Sequence, residues 1–308
     1  MLEMANSFLV IVLTEKYMKI GLHGRNFQPD SFTFIQYILD TLQEKGCDIY
    51  LSDTLYAYLE SHSFLIPRTE QFSLYDDLSS LDLVLSLGGD GTLLDTVTYV
   101  GASERPILGV NMGRLGFLAS FNKEFFDQDW DRLLTQPLTT EKRSLIRFDS
   151  DDEVFAGLNF GLNEFSVLKR DTSSMIRVHA SINGQFLNSY WADGLIVSTP
   201  TGSTGYSMSC GGPLILPQSQ SFVLTPVSPH NLNVRPMIFP DHETISLEVE
   251  GRAKHILVTL DSRSYSVSPD IKIRLSKEKF FVNLVQPENY IFFDTLRHKL
   301  NWGMDARN

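Results

Sequence analysis

The sequence predicts an α/β domain followed by an all-β domain: an open Rossmann-like sheet first, then a β-sandwich. Strand-like and helix-like segments alternate up to about residue 140, and short alternating strand-like segments follow. At 308 residues the chain also exceeds what one hydrophobic core usually organises, and its 43% hydrophobic content can fill two.

The elements follow in order. "KIGLHG", Lys19 to Gly24, reads as a strand. Asp30 or Ser31 can cap a helix in which Ile35, Ile38, Leu39 and Leu42 recur at helical spacing, and Gly46 stops it. Cys47 to Ser52 is the next strand and Asp53 to His62 a helix. "DLVLSL", Asp82 to Leu87, is apolar enough to be buried on both faces. Pro106 to Val110 gives a fourth strand, and Lys123 to Leu134 a helix after it. Strands separated by helices imply a mostly parallel sheet, whose ligands bind beyond the carboxyl ends of its strands. From about Lys142 the segments shorten: "RSLIRFD", "EFSVL", "MIRVHASI", "LIVST", "TISLEVE", "HILVTL" and "IKIRL" are separated by turn residues, as in a sandwich. The expected domains are 18–140 (α/β) and 141–284 (sandwich), with 285–308 folding back on the first. A second strand-like start at Met18 leaves residues 1–17 as an expected N-terminal extension.

Composition narrows the function. A formal net charge of -11 argues against a broad footprint for nucleic acid or an anionic membrane, so any polyanion must be held locally. Cys47 and Cys210 support neither a disulfide framework nor a structural zinc site, which fits a reducing, cytoplasmic location. The apolar run Phe8 to Leu13 is too short for a signal peptide, and no run approaches the ~20 residues of a membrane span. No Gly-Lys dipeptide occurs, which excludes a P-loop, and no G-x-G-x-x-G follows a strand.

"LSLGGDGTLL" is the most informative stretch. The strand delivers the chain to the carboxyl edge of the sheet, where Gly88, Gly89 and Gly91 permit a tight turn that a ligand can approach closely. Thr92 is expected to open the next helix, and free N–H groups there make a phosphate site from Gly88, Gly89 and Thr92. Asp90 stands alone among residues almost without side chains. A carboxylate beside a phosphate is useful only if it holds a cation such as Mg²⁺ or removes a proton from an attacking hydroxyl. Taken by itself, an ordinary Asp-Gly turn explains the motif equally well. "DGLIVSTPTGSTGYSMSCGGP", Asp193 to Pro213, adds hydroxyls and glycines dense enough to reach a flat ring or a ribose. "LNEF", Leu162 to Phe165, adds an amide and a carboxylate at a strand start.

Together with "GVNMGRLGFLA", Gly109 to Ala119, and "SPHNLNVRP", Ser228 to Pro236, these motifs resemble those of NAD kinases, which phosphorylate NAD to NADP. "GGDGT" alone is shared with diacylglycerol and sphingosine kinases; the Asp193 to Tyr206 block discriminates. The resemblance implies Asp90 as general base on the adenosine ribose 2′-hydroxyl, with ATP as donor and Mg²⁺ as cofactor. It implies an NAD pocket of Asp90, Gly91, Phe117, Asn163, Glu164, Asp193, Thr201, Thr204, Gly205, Tyr206, Ser207, Met208 and Ser209, and a homodimer or homotetramer. Two positions depart from the family. Gly205 stands where alanine is usual, which would leave that loop more mobile, and "DSR", Asp261 to Arg263, stands where many members have Asp-Gly-Gln. Arg263 is therefore not assigned to the site. A lipid or sugar kinase of the same superfamily, or a non-catalytic dinucleotide sensor, remains the alternative.

Overall fold

Strands that are apolar along their whole length must be covered on both faces, and the first sheet is built around such strands. The computed structural model describes residues 18–113, 116–170, 175–251, 254–288 and 290–301, excluding the side chains of 127–129. The expected extension, 1–17, lies outside them. In chain order β1 (Lys19–Gly24), α1 (Phe32–Glu44), β2 (Asp48–Ser52), α2 (Asp53–Ser61), β3 (Thr69–Phe72), β4 (Leu83–Gly88), α3 (Asp90–Val100), β5 (Ile107–Asn111) and α4 (Lys123–Thr135) alternate, and β6 (Thr140–Arg143) follows. The five strands β1 to β5 pair in parallel in the order β3-β2-β1-β4-β5. Leu83, Leu85 and Leu87 of β4 share a core with α1, α2 and α4, and the intervening Val84 shares another with α3. The period of two thus serves both covering layers.

The second domain comprises β7 (Ile146–Asp149), β8 (Phe160–Gly161), β9 (Glu164–Lys169), β10 (Ile176–Ile182), β11 (Gln185–Ala192), β12 (Gly194–Ser198), a short helix α5 (Tyr206–Ser209), β13 (Ser221–Val227), β14 (Met237–Pro240), β15 (Ile245–Glu250), β16 (Ile256–Leu260), β17 (Arg263–Val267) and β18 (Ile273–Lys277). They form two six-stranded sheets, β11-β10-β15-β18-β7-β8 and β14-β13-β12-β9-β16-β17, with antiparallel pairing throughout. Phe148, Val178, Leu247 and Leu275 from one sheet and Phe165, Val197, Leu224 and Val258 from the other occupy a single buried cluster. This is the expected sandwich.

The chain then re-enters the first sheet. β19 (Val282–Val285) lies parallel beside β5 and antiparallel to β6, completing a seven-stranded sheet. β6 straddles the expected 140/141 limit, and the return to the first sheet begins at Val282. The final helix, α6 (Phe292–Leu300), buries Leu296, and Glu288 pairs with Arg132 of α4. Among the described residues no helix is long and apolar enough to cross a membrane.

A third buried cluster joins the domains. Leu93, Val97 and Val100 of α3 and Leu118 of the following loop meet Leu145, Phe160 and Leu162 at the entry to the sandwich. Leu93 lies three residues after Asp90, and Leu162 immediately precedes Asn163. One dry interface therefore fixes both motifs.

Candidate active site

The turn after β4 is bare where a ligand would approach and crowded where it must hold its shape. A methyl group added at Gly89 or Gly91 would meet nothing within 4 Å. One added at Gly88 would lie 2.2 Å from Thr92 Oγ1, so that glycine is a packing requirement. Helix α3 begins at Asp90 itself, with Gly89 as its N-cap, and not at Thr92 as the sequence suggested. The acid consequently sits in the first turn, where helix N–H groups favour negative charge.

Asp90 is not solitary. Its Oδ2 accepts from the Phe117 N–H at 2.8 Å, and its Oδ1 from the N–H groups of Leu118 and Ala119 at 3.0 and 3.2 Å. Gly116 permits this approach: a Cβ there would fall 1.8 Å from Asp90 Oδ1. Three of the roughly four acceptor positions on the carboxylate are thus filled by main chain, and Oδ2 keeps one. Sequence reasoning quoted the Gly109–Ala119 block only for resemblance, because a main-chain donor leaves no mark in residue identity.

The sandwich half is built on Asp261. The carboxylate of this half-buried residue accepts from the N–H groups of Leu162, Asn163 and Glu164 at 2.7, 2.8 and 3.1 Å. Burial raises its pKa against those donors. Glu164 is pushed up to about 8, first by burial, then by the charge of Asp261, with an opposing main-chain hydrogen bond from Tyr206. Among the described residues Glu164 Oε2 and Asn163 Oδ1 are buried without a partner, so both can take a further hydrogen bond. Arg263, from the departing "DSR" segment, turns the other way and donates to the Leu158 and Phe160 carbonyls.

The hydroxyl-rich turn packs directly on this pair. A Cβ at Gly202 would lie 2.1 Å from the Asn163 carbonyl oxygen, and Thr199 Oγ1 donates to the Leu162 carbonyl at 2.5 Å. Gly205 faces Glu164: a Cβ there would sit 3.0 Å from Oε2, tighter than ordinary contact. An alanine there would crowd the Glu164 carboxyl oxygen. The Gly205 N–H is itself bonded to Gly202 O at 2.8 Å.

The remaining expected residues divide. Thr201 is buried and receives Arg143 Nη1 at 3.4 Å, and Thr204 Oγ1 bonds back to the Thr201 carbonyl. Ser207 points inward, fully buried, with its hydroxyl 2.8 Å from Thr225 Oγ1. Tyr206 and Ser209 are exposed and Met208 half-buried. Asp193 immediately precedes β12, at the opposite end from Ser198, and pairs with Lys169 Nζ at 2.6 Å. Its charge contributes, after burial and Cys210, to raising the Tyr206 phenol. Phe117 is half-buried, with Lys299 Nζ 5.9 Å from its ring centroid.

An acid anchored at a glycine turn on a parallel sheet, joined by one core to a hydroxyl-rich turn in a sandwich, is an arrangement that suits a nucleotide-dependent phosphotransferase. The comparisons narrow the class. The ATP-NAD kinase N-terminal domain matches residues 20–138, and the ATP-NAD kinase C-terminal domain residues 162–286. An NAD kinase of Cytophaga hutchinsonii is 50% identical over 292 residues, 94% of this chain and 100% of that protein. One from Christiangramia forsetii is 40% identical with the same coverage. The fold is shared with yeast NADH kinase complexed with NADH (TM-score 0.81, 18% identity, 95% of this chain and 89% of that one). It is shared also with an Archaeoglobus fulgidus NAD kinase in complex with ATP (TM-score 0.65, 24% identity, 92% and 99%). The chain belongs to the NAD kinase family, enzymes that phosphorylate NAD.

Proposed function

We propose that the chain transfers the terminal phosphoryl group of ATP to the adenosine ribose 2′-hydroxyl of NAD, with Asp90 as the base that contacts this hydroxyl. The observation that carries the reading is the held carboxylate. Three main-chain donors fix Asp90 at a turn with no side-chain obstruction, and its remaining Oδ2 position can accept the hydroxyl proton. The 2′-oxygen then attacks the terminal phosphorus in line, its bond forms as the bond to the bridging oxygen breaks, and ADP leaves. Asn163 and Glu164 contact the adenine and ribose side, Gly91, Phe117, Thr201, Thr204, Gly205 and Tyr206 belong to the NAD pocket, and Gly88, Gly89 and Thr92 lie at the phosphates. Asp193, Ser207, Met208 and Ser209 remain in the proposed pocket, Ser207 as a support held on Thr225.

Mg²⁺ belongs to this proposal. Among the described residues no three His, Cys, Asp or Glu side chains converge as a metal site. Asp90 would hold such an ion together with nucleotide phosphates and waters. Such an ion supplies neutralisation of phosphate charge. We also propose a homodimer or homotetramer in the cytoplasm.

The test is incubation with Mg-ATP and NAD, with diacylglycerol and fructose 6-phosphate as alternative acceptors. NADP is the expected product. Tight NAD binding without NADP would leave the sensor reading, and a phosphorylated lipid or sugar would leave the other.

A further inference from the structure

An acidic chain that binds a polyphosphate needs a cation at the point of transfer, and the turn itself contains none. Acidic residues outnumber basic ones by 37 to 26. Most cations near the site are already engaged: Arg143 pairs with Glu141, Lys169 with Asp193, and Arg25 with Asp95. Lys299 differs. Among the described residues it has no ion pair, whereas Arg297 two positions earlier pairs with Asp294 on their own helix. Among the described residues its ammonium lies over the ring of Phe117, 5.9 Å away at the centroid.

That contact leads straight to the reaction centre. The Phe117 N–H donates to Asp90 Oδ2, the oxygen with an open acceptor position. The placement follows from the helix. Leu296 is the residue α6 buries, and Lys299, three positions on, shares its face, so the lysine is turned toward the protein and is only half-exposed. Asn301, at φ 49, ends the helix in the left-handed region immediately beyond. A cation over an aromatic face at this distance is held weakly, and lysine's flexible stem lets it leave for a stronger partner. Charge on the transferring phosphoryl oxygens is such a partner, and the chemistry must bring it within a few ångströms of Asp90.

Resting on the reading above, we propose that Lys299 contacts the donor's phosphates: the C-terminal helix delivers its ammonium, parked on Phe117 in the free protein, to the nucleotide at the Asp90 turn. The return of the chain to the first domain thereby completes the site with a charge that the glycine turn cannot carry.

Titration of full-length protein with ADP and Mg²⁺ in a calorimeter, without NAD, tests this beside steady-state kinetics. For Lys299→Met, ADP binding weakens and the KM for ATP rises by about tenfold each, the loss of one charge-assisted hydrogen bond. The KM for NAD stays within about twofold, and Lys299→Arg restores most of the ATP affinity. Lys299→Gln repeats the neutral exchange should the methionine variant fold poorly. Unchanged ADP binding, an equal rise in both KM values, or a lower Tm with both KM values intact would overturn the assignment and leave Lys299 a cover for Phe117. A wild-type protein that makes no NADP overturns the parent reading instead; an active wild type with an indifferent Lys299→Met sinks this inference alone.

Discussion

Each oxygen of the Asp90 carboxylate already serves as an acceptor, so exchanging it for asparagine does more than remove a charge. The amide has one oxygen for three main-chain donors, and its NH₂ group must face at least one of them. Asp90→Asn should therefore loosen the 116–119 loop as well as remove the base. We expect kcat to fall by about 10² to 10⁴ with the far-ultraviolet circular dichroism unchanged; activity within tenfold of wild type would remove Asp90 from the mechanism. Glu164 makes a prediction of a different kind. With its carboxyl raised to about 8, the folded protein holds a proton that the unfolded chain releases near the ordinary value of 4.5. Stability accordingly falls as pH rises across that window, and Asp261 acts in the same direction. Glu164→Gln should flatten the decline in Tm between pH 5 and pH 8.5; an unchanged slope would show that the proton is bound elsewhere.

At the scale of elements, the glycines of one turn do different things. Gly88 is enclosed by the Thr92 side chain, while Gly89 and Gly91 face open space. Gly88→Ala should destabilise the strand-to-helix junction by about 1 to 3 kcal/mol in urea unfolding. Alanine at Gly91 should leave the unfolding midpoint nearly unchanged and weaken ATP binding, since the only thing it can obstruct is the ligand. Equal effects at both positions would contradict the division. The α/β elements were legible in sequence because β4 and β5 are mostly apolar and α1 repeats its buried residues at helical spacing. β3 was missed because "TEQF" is short and mostly polar, an edge strand buried only at Phe72. β19 was not read either, since nothing local marks a strand that changes sheets.

For the whole molecule, the relation between the two halves of the site depends on the core that Leu93, Leu118 and Leu162 share. Leu162 is completely buried, so Leu162→Ala should cost about 2 to 5 kcal/mol. Because the same residue positions Asn163, the KM for NAD should rise more than the KM for ATP, and a proportional rise in both would argue that the motifs are fixed independently. Sequence alone determined the two domains, their order, the family and the residue types at the turn, since propensity, hydrophobic period and motif spacing are properties of neighbouring residues. Tertiary structure decided the rest: that three amides from 117–119 hold Asp90, that Asp261 gathers Leu162 to Glu164, that Ser207 faces inward, and that Lys299 returns to Phe117. Those contacts join positions from 18 to about 180 residues apart through main-chain groups and helix faces, and such groups acquire a direction only when the chain has packed.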